Sequence, residues 1–369
     1  MNITSYFRTF FITVLLLLGL VSGINYTLNP LGAYDTPIIK GLNDAFPAAS
    51  NYARIHRTET VKRLKPEVLI TGTSRAMIGM DPQPEMFGGL RVYNMGLGAS
   101  TIAEQRQALE FAHAVHPLKQ AIITLDIFSF NALQPDRGAD AAGRYNPKNL
   151  SLLKFYLYKY NTIPTLDTLL ASFRHLRYMK QLERRPVYMP NGRLQQYDVL
   201  WRIKINGAAS AFSTDKPARD MSETKFTTSY AGDGGETYRH LEAMLDFTRR
   251  NNIDVIMFIS PLHESYVEKQ MKPKGRMDFM DEWKSRVQDI IKANALRYGE
   301  KPYPLWDFRY KNSITMEPVP EPDDLETRMR WFRDDNHYTP ETGNLILNKI
   351  LGLTDPENDP HPDFGRRLL

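Results

Sequence analysis

The chain contains no cysteine among its 369 residues. That excludes disulfides, thiolate zinc sites, iron–sulfur clusters and a cysteine nucleophile. A strong charge imbalance is also missing. Lys and Arg number 47 against 42 Asp and Glu, and a net charge of +5 is too mild for this length to mark a nucleic-acid partner. No internal repeat and no low-complexity tract occurs. The Gly-Lys-Ser/Thr of a phosphate loop does not follow any strand-like segment, and no acidic ribose partner of a dinucleotide site is evident. The chain does have enough apolar material for a packed core: 42% of residues are hydrophobic and 24% charged, which argues against a disordered or fibrous protein. Its length suits one large or two modest domains.

One uncharged apolar run stands at the N-terminus. Thr9 to Ile24 reads TFFITVLLLLGLVSGI, with Arg8 just before it. A short basic flank followed by such a run is an export signal. Tyr6 and Phe7 extend it towards the roughly 20 residues of a spanning helix, and no clean Ala-x-Ala cleavage site follows, which favours an uncleaved anchor. Cleavage at Val21-Ser22-Gly23 is the alternative. Both readings place the main domain outside the cytoplasm, in the periplasm if residues 1–24 anchor it in an inner membrane, or secreted if they are removed.

Residues 25–50, rich in Asn, Pro and Gly, read as a membrane-proximal linker. A β/α rhythm then begins. Strand candidates are Val68–Thr71, Arg91–Met95, Ala121–Phe128, Val255–Ile259 and Pro304–Phe308. Helical patterns cover 51–65, 101–115, 238–251, 277–298 and 340–351, the last with Thr339 as N-cap and Pro340 at its first position. Alternating strands and helices predict an α/β fold, a doubly wound parallel sheet of five strands with helices on both faces. The domain is expected over 51–354. A large insertion over about 136–236 follows the third strand, and 355–369 reads as a surface tail.

Three constellations carry chemistry. Gly72-Thr73-Ser74-Arg75 follows the first strand, where doubly wound sheets bind ligands. Ser74 is there either a nucleophile with its hydroxyl in the cleft or an N-cap. Asp334-Asp335-Asn336-His337 precedes the last helix. A serine needs a base, and an Asp three residues before a His can hold that His in its working tautomer, so Asp334 is the expected orienter and Asp335 the competitor. Asn94-Met95-Gly96-Leu97-Gly98 follows the second strand, and Gly96 either offers its amide to an oxyanion or makes an ordinary turn. No second His with ligand spacing accompanies the acidic run, so no metal site is expected. Arg75 fits an anion clamp or a surface salt bridge. His263, after the fourth strand, fits a cleft contact or a structural role. Asp126 fits a buried acceptor. The run Phe155-Tyr156-Leu157-Tyr158-Lys159-Tyr160 fits sugar stacking or helix packing.

In this order the pieces resemble the SGNH (GDSL-like) hydrolase superfamily. Ser74, Gly96 and Asp334/His337 match three of its four sequence blocks over about 65–135 and 236–352. The Gly-x-Asn-Asp of the remaining block is absent, with Asn131 the nearest replacement. The resemblance implies an SGNH-type, flavodoxin-like sheet, with Ser74 as nucleophile, His337 as general base and acid, Asp334 as orienter, and no cofactor. The sequence is also similar to membrane-anchored extracytoplasmic members that partner membrane-bound O-acyltransferases, as in alginate acetylation and teichoic-acid D-alanylation, and more to the latter type. That implies an esterase or O-acyltransferase acting on a cell-envelope polysaccharide, with an acyl donor, a membrane-bound O-acyltransferase and inner-membrane lipid as partners. The alternative is an inactive polysaccharide-binding or assembly subunit of the same fold.

Overall fold

The computed structural model describes residues 2–46, 49, 52–134, 160–180, 187–212, 226–231, 235–272 and 276–369. In chain order its main elements are α1 (Ile3–Leu28), α2 (Ala53–Leu64), β1 (Val68–Thr71), α3 (Ser74–Gly79), β2 (Val92–Asn94), α4 (Ile102–Val115), β3 (Gln120–Leu125), α5 (Leu166–Met179), α6 (Tyr197–Asn206), α7 (Tyr238–Arg250), β4 (Asp254–Ile259), α8 (Arg276–Tyr298), β5 (Leu305–Asp307), α9 (Pro340–Ile350) and β6 (Arg366–Arg367). They group into two compact units, one of residues 1–63 with 140–189, the other of 64–139 with 190–369.

The larger unit holds a mixed α/β fold around a six-stranded sheet in the order β2-β1-β3-β4-β5-β6. The first five strands are parallel, and β6 pairs with β5 antiparallel. Every residue of β1 is buried, as are all but the first of β3, because strands covered on both faces read as continuous apolar runs rather than alternating ones. The expected count of five is one short. The C-terminal residues are more than a surface tail, since Phe364 is fully buried against Phe308 and draws Arg366–Arg367 alongside β5. A proline- and aspartate-rich composition hides one deeply buried aromatic.

The smaller unit gives residues 25–46 a structure of their own. The αL cap Asn29 of α1 accepts the amides of Ala33 and Tyr34 at 2.9 and 3.1 Å, and Leu31, Ala33 and Tyr34 form a small core with Ile55 and Ile163 around it. The segment expected as a linker and α2 up to Arg63 fall in this unit, and the sheet unit starts at Leu64. The insertion is divided as well, with 140–189 in this unit and 190 onwards in the other. Of residues 150–182, 160–180 are described and hold α5. Residues 155–159 of the aromatic run lie outside the described residues, and Tyr160 stacks on Tyr34.

In the larger unit, α3 and α9 meet backbone to backbone. A Cβ on Gly343 would stand 1.9 Å from the Gly79 carbonyl oxygen, and one on Gly79 would stand 2.1 Å from the Tyr338 ring. Neither position has room for a methyl group. Gly343→Ala is therefore expected to cost about 1–3 kcal/mol through overpacking. Thermal unfolding of the variant should show a lower Tm, and an unchanged Tm would refute the close contact.

Candidate active site

β1 delivers the chain into the turn Gly72-Thr73-Ser74. The Thr73 hydroxyl caps α3 by accepting the Arg75 amide at 3.3 Å. Thr73 therefore takes the capping role that Ser74 would otherwise compete for, and the Ser74 hydroxyl is left for other work. Its Oγ lies 2.9 Å from His337 Nε2. His337 Nδ1 lies 2.9 and 3.0 Å from the two Asp334 carboxylate oxygens. A carboxylate at Nδ1 fixes the proton there, which leaves Nε2 as the acceptor for the serine hydroxyl.

The Asp-x-x-His turn builds this geometry locally. Asp334 Oδ1 accepts the amides of Asn336 and His337 at 2.9 and 2.7 Å, so the carboxylate folds back over its own turn and meets the ring three residues on. Arg333 Nη2 reaches Oδ2 at 3.2 Å, and Arg333 Nη1 is itself held by Gln196 Oε1 at 2.6 Å. Burial pushes the Asp334 carboxyl upward. The His337 ring, Arg333 and the Asn336 amide outweigh it and hold the carboxyl well below the usual carboxylate range. Asp335, the competing orienter, makes no bond to His337. Burial first, and then the neighbouring Asp334 charge, push its carboxyl up to about 6.

Ser74 lines a cleft of about 290 Å³ at the carboxyl ends of β1 and β3, together with Asn336 from the Asp-x-x-His turn. Phe128, Leu133 and Tyr266 give it an apolar wall, with Phe128 and Tyr266 edge to face at 6.3 Å. Asn131 lines the same cleft. Its Oδ1 accepts the amides of Leu133 and Thr227 at 3.2 and 3.3 Å, while its Nδ2 makes no bond among the described residues. Asp126 is a buried acceptor for the Thr73 hydroxyl and the Arg75 guanidinium.

Three expectations are redirected. The Gly96 amide is not open to a ligand, since it donates to Asn94 Oδ1 at 2.9 Å. Asn94 in turn donates to the carbonyls of Ala76 and Met80 at 2.7 and 2.8 Å, so this pair fastens the end of β2 to α3. Gly96 is glycine because a Cβ would stand 2.6 Å from the Met77 amide nitrogen. Arg75 lines the cleft but is no surface pair. It is buried, and its guanidinium is committed to Asp126, to the Asn336 carbonyl at 3.0 Å and to the Asn336 side chain. His263 does not line the cleft. Its Nδ1 meets Ser265 Oγ at 2.8 Å, its Nε2 meets the Glu317 carbonyl at 2.7 Å, and Phe212 and Phe332 pack on its ring. Burial lowers its pKa, which suits a neutral structural ring.

Sequence reasoning missed Ala99. It lines the cleft, adopts a left-handed backbone at φ 52°, and its amide meets no acceptor among the described residues. An alanine gives no sign of that conformation. The Ser74 amide, first in α3, likewise meets no acceptor among the described residues, as is usual at a helix start. Among the described residues, the Ser74 and Ala99 amides and the Asn131 side chain are thus donors open to this cleft. Among the described residues no group of three or more His, Asp or Glu side chains is placed to hold a metal ion.

Two outcomes are expected. Arg75→Leu strands the buried Asp126 charge and should destabilise by about 3–5 kcal/mol. The double variant Arg75→Leu/Asp126→Leu should recover much of that loss in chemical denaturation, and equal loss in both would contradict the pairing. A carboxyl whose folded pKa is raised binds its proton more tightly in the folded state. The half-buried Asp335 charge therefore begins to penalise the fold above its unfolded value near pH 4 and does so fully above about 6. Asp335→Asn should accordingly raise Tm at pH 7.5 and leave it nearly unchanged at pH 3.5. A gain of the same size at both values would contradict the assignment.

No known protein family matches this chain by its sequence profile, and no curated protein matches it either.

Proposed function

We propose that the protein is a serine esterase or O-acyltransferase of SGNH type, held at a membrane by α1 and working outside the cytoplasm on acyl groups of a cell-envelope polysaccharide. The observation that carries this reading is the continuous chain from Ser74 Oγ through the His337 ring to Asp334, with both links at 2.9 Å. The strand order β2-β1-β3-β4-β5, with the serine at the end of β1, supports a doubly wound, flavodoxin-like sheet whose ligand site is the switch point beside β1. α1 is long and apolar enough to cross a membrane, and the basic Arg8 near its start supports the outward placement of the rest.

The chemistry follows from the geometry. Ser74 Oγ attacks the carbonyl carbon of an ester while its proton passes to His337 Nε2. Asp334 stabilises the imidazolium that forms and keeps the ring in place. The carbonyl oxygen gains the negative charge, and the Ser74 and Ala99 amides with Asn131 Nδ2 are the donors available to it. Collapse breaks the bond to the alcohol, which takes its proton from His337, and leaves the acyl group on Ser74. Water or a glycan hydroxyl then repeats the cycle in reverse, with His337 as base. Water makes the protein an esterase, and a hydroxyl makes it a transferase.

One observation favours the second reading, an inactive polysaccharide-binding or assembly subunit beside a membrane-bound O-acyltransferase. The Gly96 amide is spent on Asn94, and each lost oxyanion donor costs about 10²–10³ in rate. The two readings separate on p-nitrophenyl acetate. The full-length enzyme should hydrolyse it, and Ser74→Ala and His337→Ala should each lose about 10²–10⁴ of that rate. Equal background rates in all three, with circular dichroism unchanged, would leave the binding subunit.

A further inference from the structure

α5 is amphipathic with the wrong side outward for water. Its buried face is small and largely polar: Thr168, Ala171, Ser172 and His175, with Met179 at the end. Its solvent-facing stripe is Leu166, Leu170 and Phe173 at the i, i+4, i+7 spacing of one helix face, and they are 70%, 55% and 55% exposed. Arg174, Arg177 and Lys180 stand exposed over its C-terminal half. A helix that presents large apolar side chains flanked by cations fits a bilayer surface better than water.

Its position in the smaller unit says which surface. Residues 3–20 of α1 are exposed, apart from half-buried Val14, and cover about 27 Å at 1.5 Å per residue, close to the roughly 30 Å of a hydrocarbon core. Packing against the rest of the unit begins at Val21. One turn further on, Asn25 is fully buried and held by α5 and the residues leading into it. Its Nδ2 donates to the carbonyls of Ile163 and Thr165 at 2.7 and 3.2 Å, and its Oδ1 accepts the Ser172 hydroxyl at 2.9 Å. α5 is therefore fastened to α1 at the level where α1 would leave the bilayer. A second segment converges there. Asn43 donates to the Thr27 carbonyl at 2.9 Å and His175 bonds the Leu42 carbonyl, so the loop carrying the exposed Ile38 and Ile39 is tied to both helices.

We propose that α5 is an interfacial helix. Leu166, Leu170 and Phe173 insert at the headgroup–acyl boundary of the bilayer that α1 crosses, and Arg174, Arg177 and Lys180 meet anionic headgroups. This rests on α1 being a spanning helix. Two contacts at right angles in function, one through the bilayer and one along its surface, would stop the smaller unit from swivelling about a single tether.

The lack of native cysteine makes the test direct. Single variants Leu170→Cys and Phe173→Cys of the full chain are labelled with an environment-sensitive fluorophore and reconstituted into phosphatidylglycerol/phosphatidylcholine vesicles carrying a spin-labelled lipid quencher near the headgroup. Leu16→Cys in α1 and the exposed Leu353→Cys serve as bilayer and water references. Emission at 170 and 173 should shift to the blue and be lost to the quencher, while emission at 353 is neither shifted nor quenched. A quenched 16 with unquenched, water-like 170 and 173 would overturn the interfacial helix and leave the anchor intact. Blue-shifted but unquenched 170 and 173 would mean that protein, not lipid, covers this face, and would also overturn it. An unquenched 16 would remove the anchor and the proposal together.

Discussion

The site depends on the contact of two glycines. Ser74 opens α3 and His337 stands three residues before α9, so the distance between their side chains is set by how closely those two helices approach. Gly79 and Gly343 let them touch through backbone atoms, and the Tyr338 ring fills the space beside Gly79. Residues far apart in sequence are thereby placed within one hydrogen bond, 2.9 Å, of each other. A methyl group at the crossing has no room and would push the two helices apart.

Around this crossing, buried polar groups hold the turns in register. Asp126 at the end of β3 accepts from Thr73 and Arg75 on either side of Ser74, and Arg75 reaches across to Asn336 beside His337. Asn94 fastens the end of β2 to α3. Each group is buried and partnered, so none can leave its place without stranding another in a medium where an unpaired charge is costly. The working pair is therefore positioned by a framework in which Arg75 is bonded to Asp126 and Asn336 and the Gly96 amide to Asn94.

Much of this was legible from local pattern. The five parallel strands announce themselves because buried strands are short apolar runs, several of them bounded by glycine or proline. Asp334 and His337 could be paired because a three-residue spacing lets a carboxylate fold over its own turn. What stayed hidden depends on contacts distant in sequence. Gly96 looked like an oxyanion donor because its competitor, the Asn94 side chain, becomes relevant only when it turns back. Arg75 looked like a surface cation because its partners lie 51 and 261 residues away. His263 could be read as a cleft contact or a structural residue, because the aromatic rings that enclose it come from elsewhere in the chain. Ala99 gave no signal, since nothing in an alanine marks a left-handed backbone. The edge strand β6 and the core under residues 31–34 were masked by polar, proline-rich surroundings.

The central claim is that Ser74 is an activated nucleophile. Treating the folded full-length protein with a fluorophosphonate and mapping the adduct by mass spectrometry tests it most directly. The account predicts one adduct on the Ser74 Oγ, absent in Ser74→Ala and strongly slowed in His337→Ala. A folded protein that takes up no label at Ser74, or labels equally fast without His337, would contradict it.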